Sequence, residues 1–287
     1  MTPHKRLRFG IKTAPQHTTY DEILRVWLEA DGIPSLEHAW LFDHFVPLRE
    51  PIAGPCLEGW SLLAALAART ERLRVGLMVT GNTYRHPAVL ANMAATVDVI
   101  SHGRLDLGLG AGWHEGEHRM YGMPLYAPGE RIRRLDEACT VIERLWTEPV
   151  ATFAGRYYQL QEATCAPKPV QKPRPPIVIG GGGEHLTLRV VARHADIWNF
   201  AGGPLESFQH KNAVLDGHCA AVGRDPATIE RSIQVPIDPD NLAQARATIR
   251  EFRAAGATHI VLNLSAPYPV GVVQRLADEV VGQLQAT

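Results

Sequence analysis

A regular alternation of short apolar runs with longer segments of helical period limits the possible folds of this sequence more than any other feature. Eight strand candidates can be counted, and each is followed by a helix candidate. The strand candidates read as apolar on both faces, which is typical of parallel strands covered by helices. They are Leu7 to Lys12, Ala39 to Phe42, Leu73 to Val79, Leu105 to Gly110, Ile177 to Ile179, Ile197 to Phe200, Ser232 to Pro236 and His259 to Leu264.

The segments between the strands predict eight helices, and several of their ends carry favourable residues. Pro87 and Pro128 suit the first turn of a helix, and Gly103 and Gly256 suit the left-handed residue that closes one. The predicted helices are Asp21 to Ala30, Trp60 to Arg69, Ala88 to Ile100, Gly129 to Trp146, Leu186 to His194, Leu205 to Val222, Leu242 to Ala255 and Val270 to Leu284.

Eight strand-helix units without a break in composition predict one α/β domain over residues 1–287, a closed (β/α)8 TIM barrel. Such a barrel commonly needs about 250 residues, so a second domain is not required. One connection, Thr147 to Pro176, is longer than the others. Its Phe153 to Tyr158 portion predicts a hairpin, and prolines follow it. We interpret this connection, between the fourth helix and the fifth strand, as an insertion over the barrel mouth.

Composition narrows the class of function. With a formal net charge of -1, the sequence gives no electrostatic reason to expect a nucleic-acid or anionic-membrane partner, so a small-molecule substrate is expected. No apolar run approaches about 18 residues, and the basic residues Met1 to Arg6 are not followed by the apolar stretch of a secretory signal, so we expect a cytoplasmic protein. The four cysteines form no Cys-x-x-Cys pair and are expected to be reduced thiols.

Active sites of such barrels lie at the carboxyl ends of the strands, so polar or glycine-rich residues that follow a strand are the first candidates. Asp43 and His44 place a carboxylate beside an imidazole, which exchanges protons near neutral pH, and this suits acid-base chemistry coupled to hydride transfer. The alternative is that His44 only holds a loop. The other candidate sites are the residues from Thr80 to His86, Ala111 to Glu115 and Gly180 to Gly183.

The run of four glycines, Gly180, Gly181, Gly182 and Gly183, lies between a strand and a helix. Backbone N–H groups at the amino end of a helix bind phosphate oxygens, so the run predicts a loop that holds a nucleotide or the tail of a cofactor. The alternative is a tight turn between the strand and the helix, but such a turn would need only one glycine.

The sequence His114-Glu115-Gly116-Glu117-His118 matches the His-Glu-x-x-His pattern of zinc hydrolases, in which two imidazoles bind the metal and Glu115 would act as the base. Gly116 weakens a helix at this position, so zinc hydrolysis is a remote alternative and no metal is expected. The glycines from Gly108 to Gly112 resemble a dinucleotide-binding fingerprint, but the third comes one position early.

Taken in order, several motifs resemble the bacterial-luciferase-like superfamily, in the branch that uses the deazaflavin coenzyme F420. The resemblance covers nearly the whole chain and implies a (β/α)8 barrel enzyme, often a homodimer. Its motifs here are Leu41 to Phe45, Thr80 to Pro87, Gly103 to Trp113, Gly129 to Arg131, Trp146 with Tyr157 and Tyr158, and Ile179 to Gly183.

The resemblance also implies roles for individual residues. Asp43 would hold the ring system, His44 would transfer the proton, and Gly180 to Gly183 would lie near the cofactor phosphate. A bulge after the third strand would support one face of the ring through a non-prolyl cis peptide at Met78-Val79. The remaining predicted cofactor contacts are Thr80, Gly81, Gly112, Trp113 and His114.

The sequence departs from the sugar-phosphate dehydrogenases of that family. Where they have two acids and a phosphate-binding lysine, this chain has Gln16, Trp113 and Pro204, so a phosphorylated sugar is not expected as substrate. Gln16, Tyr84 and Trp113 are predicted to line a pocket for an uncharged organic substrate. We therefore predict hydride transfer between F420 and such a substrate. A monooxygenase that uses reduced FMN is the main alternative, and a cofactor-binding protein without catalysis is another.

Overall fold

The computed structural model describes residues 6–285, so most of the basic amino-terminal run lies outside the described residues. Eight parallel strand positions close into a barrel, because β1 pairs with both β2 and β11, and β3 pairs with β5 on the far side. The strands are β1 (Arg8–Thr13), β2 (His38–Leu41), β3 (Arg74–Leu77), β4 (Thr80–Gly81), β5 (Leu105–Gly110), β6 (Ala151–Ala154), β7 (Gln159–Ala163), β8 (Ile177–Gly180), β9 (Ile197–Phe200), β10 (Glu230–Pro236) and β11 (His259–Leu264).

Helices cover the outside of the barrel, and each of the eight predicted strands and helices is confirmed to within a few residues. Pro87 and Pro128 begin their helices, and Gly103 and Gly256 have positive φ. The helices are α1 (Tyr20–Asp31), α2 (Gly59–Ala67), α3 (Pro87–Ile100), α4 (Glu115–Met120), α5 (Pro128–Thr147), α6 (Thr187–His194), α7 (Leu205–Ala221), α8 (Leu242–Ala254) and α9 (Val272–Leu276), which continues through a π-helical segment (Ala277–Gly282) into α10 (Gln283–Gln285). Within residues 6–285 no helix is long and apolar enough to cross a membrane.

The third predicted strand is interrupted. β3 ends at Leu77, the peptide between Met78 and Val79 is cis, and pairing resumes in β4, which bonds to the end of β5. The cis peptide predicted at this position is confirmed. The glycines of β5 give the bulge its space, since a Cβ on Gly108 would lie 1.8 Å from the Leu77 carbonyl oxygen and a Cβ on Gly110 would lie 2.7 Å from Val79 Cγ2. Within the glycine run that resembled a dinucleotide fingerprint, Gly108 and Gly110 therefore allow the bulge to pack against β5.

The interior of the barrel is only partly apolar, with one cluster formed by Trp40, Val178, Ile197 and Val261, so the prediction that the strands are apolar on both faces holds only in part. A column of polar side chains runs through it, joined by hydrogen bonds of 2.7 to 2.9 Å. Two buried imidazoles, His38 and His259, stack at its lower end with ring centroids 3.9 Å apart. Gly10 makes room for them, because a Cβ there would lie 1.9 Å from His38 Nδ1. The column comprises Lys12, Gln234, Asn199, Ser232, His259 and His38.

The insertion contains the predicted hairpin, formed by β6 and β7, whose Tyr158 reaches Asn82 at the carboxyl-end side of the barrel, but the predicted place of the proline-rich portion over the mouth is wrong. The hairpin packs on α5, where the Glu137 carboxylate accepts hydrogen bonds from the backbone N–H groups of residues 156 to 158. The proline-rich portion then runs to the amino-terminal side of the barrel, where Gln171 bonds to Asp98 and Arg74. Apolar side chains such as Leu160 hold the insertion in the outer core, so the mouth stays open.

Candidate active site

A cavity of about 560 Å³ opens at the carboxyl ends of the barrel strands. Its volume is in the range of small-molecule and cofactor sites, and its position is that of active sites in this fold. The residues that line it come from the ends of seven strands and from the starts of α5 and α6. They are Lys12, Phe42, Asp43, His44, Leu48, Met78, Val79, Gly81, Tyr84, Gly110, Ala111, Gly112, Trp113, Pro128, Arg131, Ile132, Gly180, Gly181, Thr187, Asn199, Ala201 and Gln234.

His44 lines this cavity and is held from behind by a buried carboxylate. Its Nδ1 lies 2.9 Å from Glu117 Oε2, and the same carboxylate accepts hydrogen bonds from the Tyr84 hydroxyl and the Phe45 backbone N–H. Because a carboxylate accepts, Nδ1 carries the proton. Among the described residues Nε2 has no hydrogen-bond partner, so it remains available to a molecule in the cavity.

Glu117 is fully buried, and its surroundings keep it ionised. Burial alone would raise the pKa of its carboxyl, but the hydrogen bonds from His44, Tyr84 and Phe45 outweigh burial and lower the pKa to about 2. The acidic partner of His44 is therefore Glu117, which the sequence did not single out, and not the neighbouring Asp43. Glu117 lies on α4, a short helix that was not predicted because Gly116 disfavours one.

Asp43 is fully buried beside the cavity, but its carboxylate is already engaged. Arg85 donates to it from both terminal nitrogens, at 2.6 and 3.2 Å, and also bonds to Glu58, which caps α2. Burial raises the pKa of Asp43, and the Arg85 guanidinium opposes that shift. The pair fixes the start of the loop that carries His44. The role predicted for Asp43 in holding a ring stays a prediction.

The glycine run divides into two parts. Gly180 and Gly181 line the cavity, and Gly181 has a φ of +124°, which favours glycine. Gly182 and Gly183 lie outside the cavity, where the Gly182 carbonyl accepts a hydrogen bond from Lys211. Two glycines of the loop therefore face the cavity, and the other two belong to its structural part.

Arg131, on the first turns of α5, adds a cation to this side of the cavity. Its Nη1 donates to the Gly112 carbonyl at 2.5 Å, and no carboxylate of the described residues lies within ion-pair distance. Its Nε is buried without a hydrogen-bond partner. A buried donor without an acceptor is costly, so this side of the cavity is suited to an anionic group.

The floor of the cavity is also cationic. Lys12 Nζ donates to Gln234 Oε1 at 2.7 Å, and Gln234 in turn donates to Asn199. No carboxylate of residues 6–285 pairs with Lys12. Burial lowers the pKa of this ammonium to about 8, so it is still charged at neutral pH.

Besides Gly182 and Gly183, three further predicted site residues lie outside the cavity. Gln16 was predicted to line the substrate pocket, but its side chain accepts a hydrogen bond from the Leu48 backbone N–H at 2.6 Å and fixes a loop. Thr80 accepts a hydrogen bond from the Trp60 indole. His114 begins α4 by accepting from the Glu117 backbone N–H. The predicted cavity residues Met78, Val79, Gly81, Tyr84, Gly112 and Trp113 do line it, and Trp113 is 62% exposed at its rim.

The zinc-hydrolase pattern does not assemble a metal site. His118 is committed through both ring nitrogens, to the His114 carbonyl and to Thr83 Oγ1, each at 2.8 Å. Glu115 is exposed at the start of α4. In the part of the chain that the structure describes, no group of three or more His, Cys, Asp or Glu side chains is placed to hold a metal ion.

Comparisons with known proteins agree with this geometry. The luciferase-like monooxygenase family matches residues 7–281. An F420-dependent glucose-6-phosphate dehydrogenase of Microbacterium testaceum is 32% identical over 279 residues, covering 95% of this chain and 80% of that protein. An FMNH(2)-dependent dimethylsulfone monooxygenase of Pseudomonas putida is 30% identical, covering 69% and 53%. A solved F420-dependent secondary alcohol dehydrogenase, in complex with an F420-acetone adduct, superposes with a TM-score of 0.84 at 17% identity, covering 96% and 98%.

Proposed function

We propose that this chain, which belongs to the luciferase-like monooxygenase family, is an F420-dependent oxidoreductase that transfers a hydride between the deazaflavin and an uncharged small organic substrate. The observation that carries the proposal is His44 at the cavity wall, with Nδ1 held by the ionised Glu117 and Nε2 left available. The proposal includes both directions, hydride transfer from the deazaflavin to the substrate and from the substrate to the deazaflavin. A monooxygenase using reduced FMN is the second candidate, supported by the FMNH(2)-dependent relative.

The residues of the cavity fit such a cofactor. The uncompensated Arg131 guanidinium, with its buried and unpartnered Nε, lines the same cavity as Gly181, in the loop that leads to α6, which suits a phosphate on the cofactor tail. The bulge at Met78 and Val79 forms an apolar wall for the face of a flat ring. When bound, F420 supplies or takes up the hydride at its central ring.

The chain's own residues handle the proton. When the substrate loses a hydride from a carbon that bears a hydroxyl, His44 Nε2 accepts the hydroxyl proton, and in reverse it returns that proton to the forming alcohol. Glu117 keeps the imidazole in the tautomer that accepts at Nε2 and stabilises the imidazolium that results. The apolar side chains of Phe42, Leu48 and Trp113 suit an uncharged substrate.

The first experiment measures cofactor binding. Purified protein is titrated with F420 and separately with FMN, and the fluorescence of each is followed. We expect F420 to bind and to be quenched, with FMN binding at least about 10-fold more weakly. Tighter binding of FMN would favour the monooxygenase, and no binding of F420 would refute the proposal.

The phosphate subsite has its own test. Arg131→Met removes the cation and should weaken F420 binding by about 10- to 100-fold, the range of a charge-assisted hydrogen bond. Arg133→Met is the matched control, because Arg133 lies on the same helix but is exposed and outside the cavity. Equal affinities of the two variants would count against a phosphate at Arg131.

We also propose a domain organisation, a cellular location and an oligomeric state for this protein. A single barrel domain over residues 1–287, acting as a cytoplasmic homodimer, is supported by the family resemblance. Sedimentation of the purified protein at several concentrations tests the dimer, which a monomer at micromolar concentration would contradict.

A further inference from the structure

We infer that Lys12 is the counter-ion of the deazaflavin ring, and that the polar pyrimidine end of that ring enters the barrel floor against Lys12, Gln234 and Asn199. This inference rests on the proposed function and assigns a residue that the family motifs quoted above do not include. It starts from the charge balance of the cavity.

The carboxylates near the cavity are already engaged by other groups of the protein and do not pair with the two cations that line it. Asp43 is paired with Arg85, and Glu117 accepts three hydrogen bonds. The two cations that line the cavity, Lys12 and Arg131, have no carboxylate partner among residues 6–285. Two separate uncompensated cations favour a ligand with two separate negative groups. A phosphate on the cofactor tail accounts for Arg131, so a second anionic group is required for Lys12.

The ring itself supplies that group. An 8-hydroxy-5-deazaflavin is a weak acid whose ionised form shares its negative charge between the 8-oxygen and the carbonyl oxygens and nitrogen of the pyrimidine end. Hydride transfer to an uncharged ring also adds one negative charge to it. A cation at this end therefore stabilises the ring in both redox states.

The orientation follows from polarity. The pyrimidine end carries carbonyl and N–H groups, whereas the opposite end of the ring system carries a single hydroxyl. At the floor, Lys12 uses one of its three donors on Gln234, and the amides of Gln234 and Asn199 are held by the hydrogen bonds that continue to Ser232. The walls above the floor include the apolar side chains of Phe42, Met78 and Val79. The pyrimidine end, with its several donors and acceptors, matches the ammonium and the two amides of the floor better than the end with one hydroxyl does.

The burial that lowers the pKa of Lys12 to about 8 agrees with this role. The charged ammonium is destabilised by burial, and no carboxylate of the described residues offsets that cost. A ligand that brings an anion to the floor recovers this free energy on binding.

The test compares Lys12→Met with Lys168→Met. Met keeps the length of the side chain and removes the charge, and Lys168 is a half-buried lysine whose ammonium donates to the carbonyls of Leu145 and Glu148, away from the cavity. We expect Lys12→Met to weaken F420 binding by about 10- to 100-fold while Lys168→Met leaves it unchanged. Circular dichroism establishes that both variants are folded.

A spectroscopic readout separates this role from a structural one. The visible absorbance of bound F420 reports ionisation of the ring, so it is followed against pH for wild type and both variants. The ionised form should persist to lower pH in wild type and Lys168→Met than in Lys12→Met. Identical absorbance titrations and affinities in all three proteins overturn the inference while leaving the proposed function intact, since F420 still binds. Failure of wild type to bind F420 overturns both.

Discussion

The stacked pair of His38 and His259 inside the barrel predicts how stability depends on pH. Both imidazoles are fully buried, and each has an Nε2 without a hydrogen-bond partner. Burial lowers the pKa of each well below the free value of 6.5, and for His38 the neighbouring His259 adds to the shift. Both rings are therefore neutral in the folded protein at pH 5.5, whereas they bind protons in the unfolded chain.

The sign and size follow from proton uptake. Because the pKa of each ring is lower in the folded protein than in the unfolded chain, the stability that depends on these neutral rings is fully present above about pH 6.5. It is lost as the pH falls below that value. At pH 5.5, one unit below the free pKa, each neutral buried imidazole lowers the free energy of unfolding by about 1.4 kcal/mol. The pair therefore lowers it by about 2.8 kcal/mol. His194 acts in the opposite sense, because Asp136 and Glu143 outweigh its burial and raise its pKa, so it gains stability on acidification.

A substitution isolates one ring of the pair. Asn in place of His259 keeps an oxygen near the position of Nδ1, which bonds to Ser232, but removes the titrating group. Urea unfolding is measured at pH 7.5 and pH 5.5 for wild type and His259→Asn. The loss of unfolding free energy on acidification should be smaller in the variant by about 1.4 kcal/mol, whatever stability the substitution costs at both pH values.

A control and a refuting result complete this test. His185→Asn changes a surface histidine and should lose as much stability on acidification as wild type. Because His194 is present in all three proteins, its contribution cancels. If His259→Asn loses the same free energy as wild type to within about 0.5 kcal/mol, the folded barrel takes up a proton at this ring, and the reasoning from burial is refuted.

Three further predictions concern the site. Glu117→Gln should lower kcat by about 10- to 100-fold with F420 affinity unchanged, because the charge that stabilises protonated His44 is lost. An unchanged kcat would exclude this stabilising role of Glu117. Tyr84→Phe removes one donor to Glu117 and should lower kcat by less than about 10-fold, so a larger loss in steady-state assays would make Tyr84 a proton donor itself. Arg85→Met leaves Asp43 buried and unpaired and should cost about 3 kcal/mol in urea unfolding at pH 7, whereas a loss below about 1 kcal/mol would show that Asp43 is solvated.

The sequence was sufficient to predict the barrel because helix and strand periods repeat eight times and each predicted element is long enough to be read. It was also sufficient for the strand-end residues, since the fold itself fixes where His44 and the first two loop glycines must lie. These predictions needed only local pattern and topology.

The missed features depend on contacts between distant segments. Glu117 meets His44 across 73 residues, and no local pattern connects them. In the sequence, Lys12 is the last residue of an apolar strand candidate. The alternation of side chains along the six-residue β1 does not indicate which of its two faces points into the barrel. Gln16 was expected in the pocket from its position after β1, but a hydrogen bond to Leu48 draws its side chain into a loop.

The polar column has a consequence for protein engineering. Branched aliphatic side chains fill the interior of many barrels, and introducing them at Ser232 and His259 would remove the part of the acid sensitivity that comes from His259 and leave the part from His38. The same change would leave the Asn199 amide without its partner, so the Gln234 amide could rotate and present the wrong group to whatever occupies the floor. A thermostable variant obtained this way would be expected to trade cofactor selectivity for heat resistance.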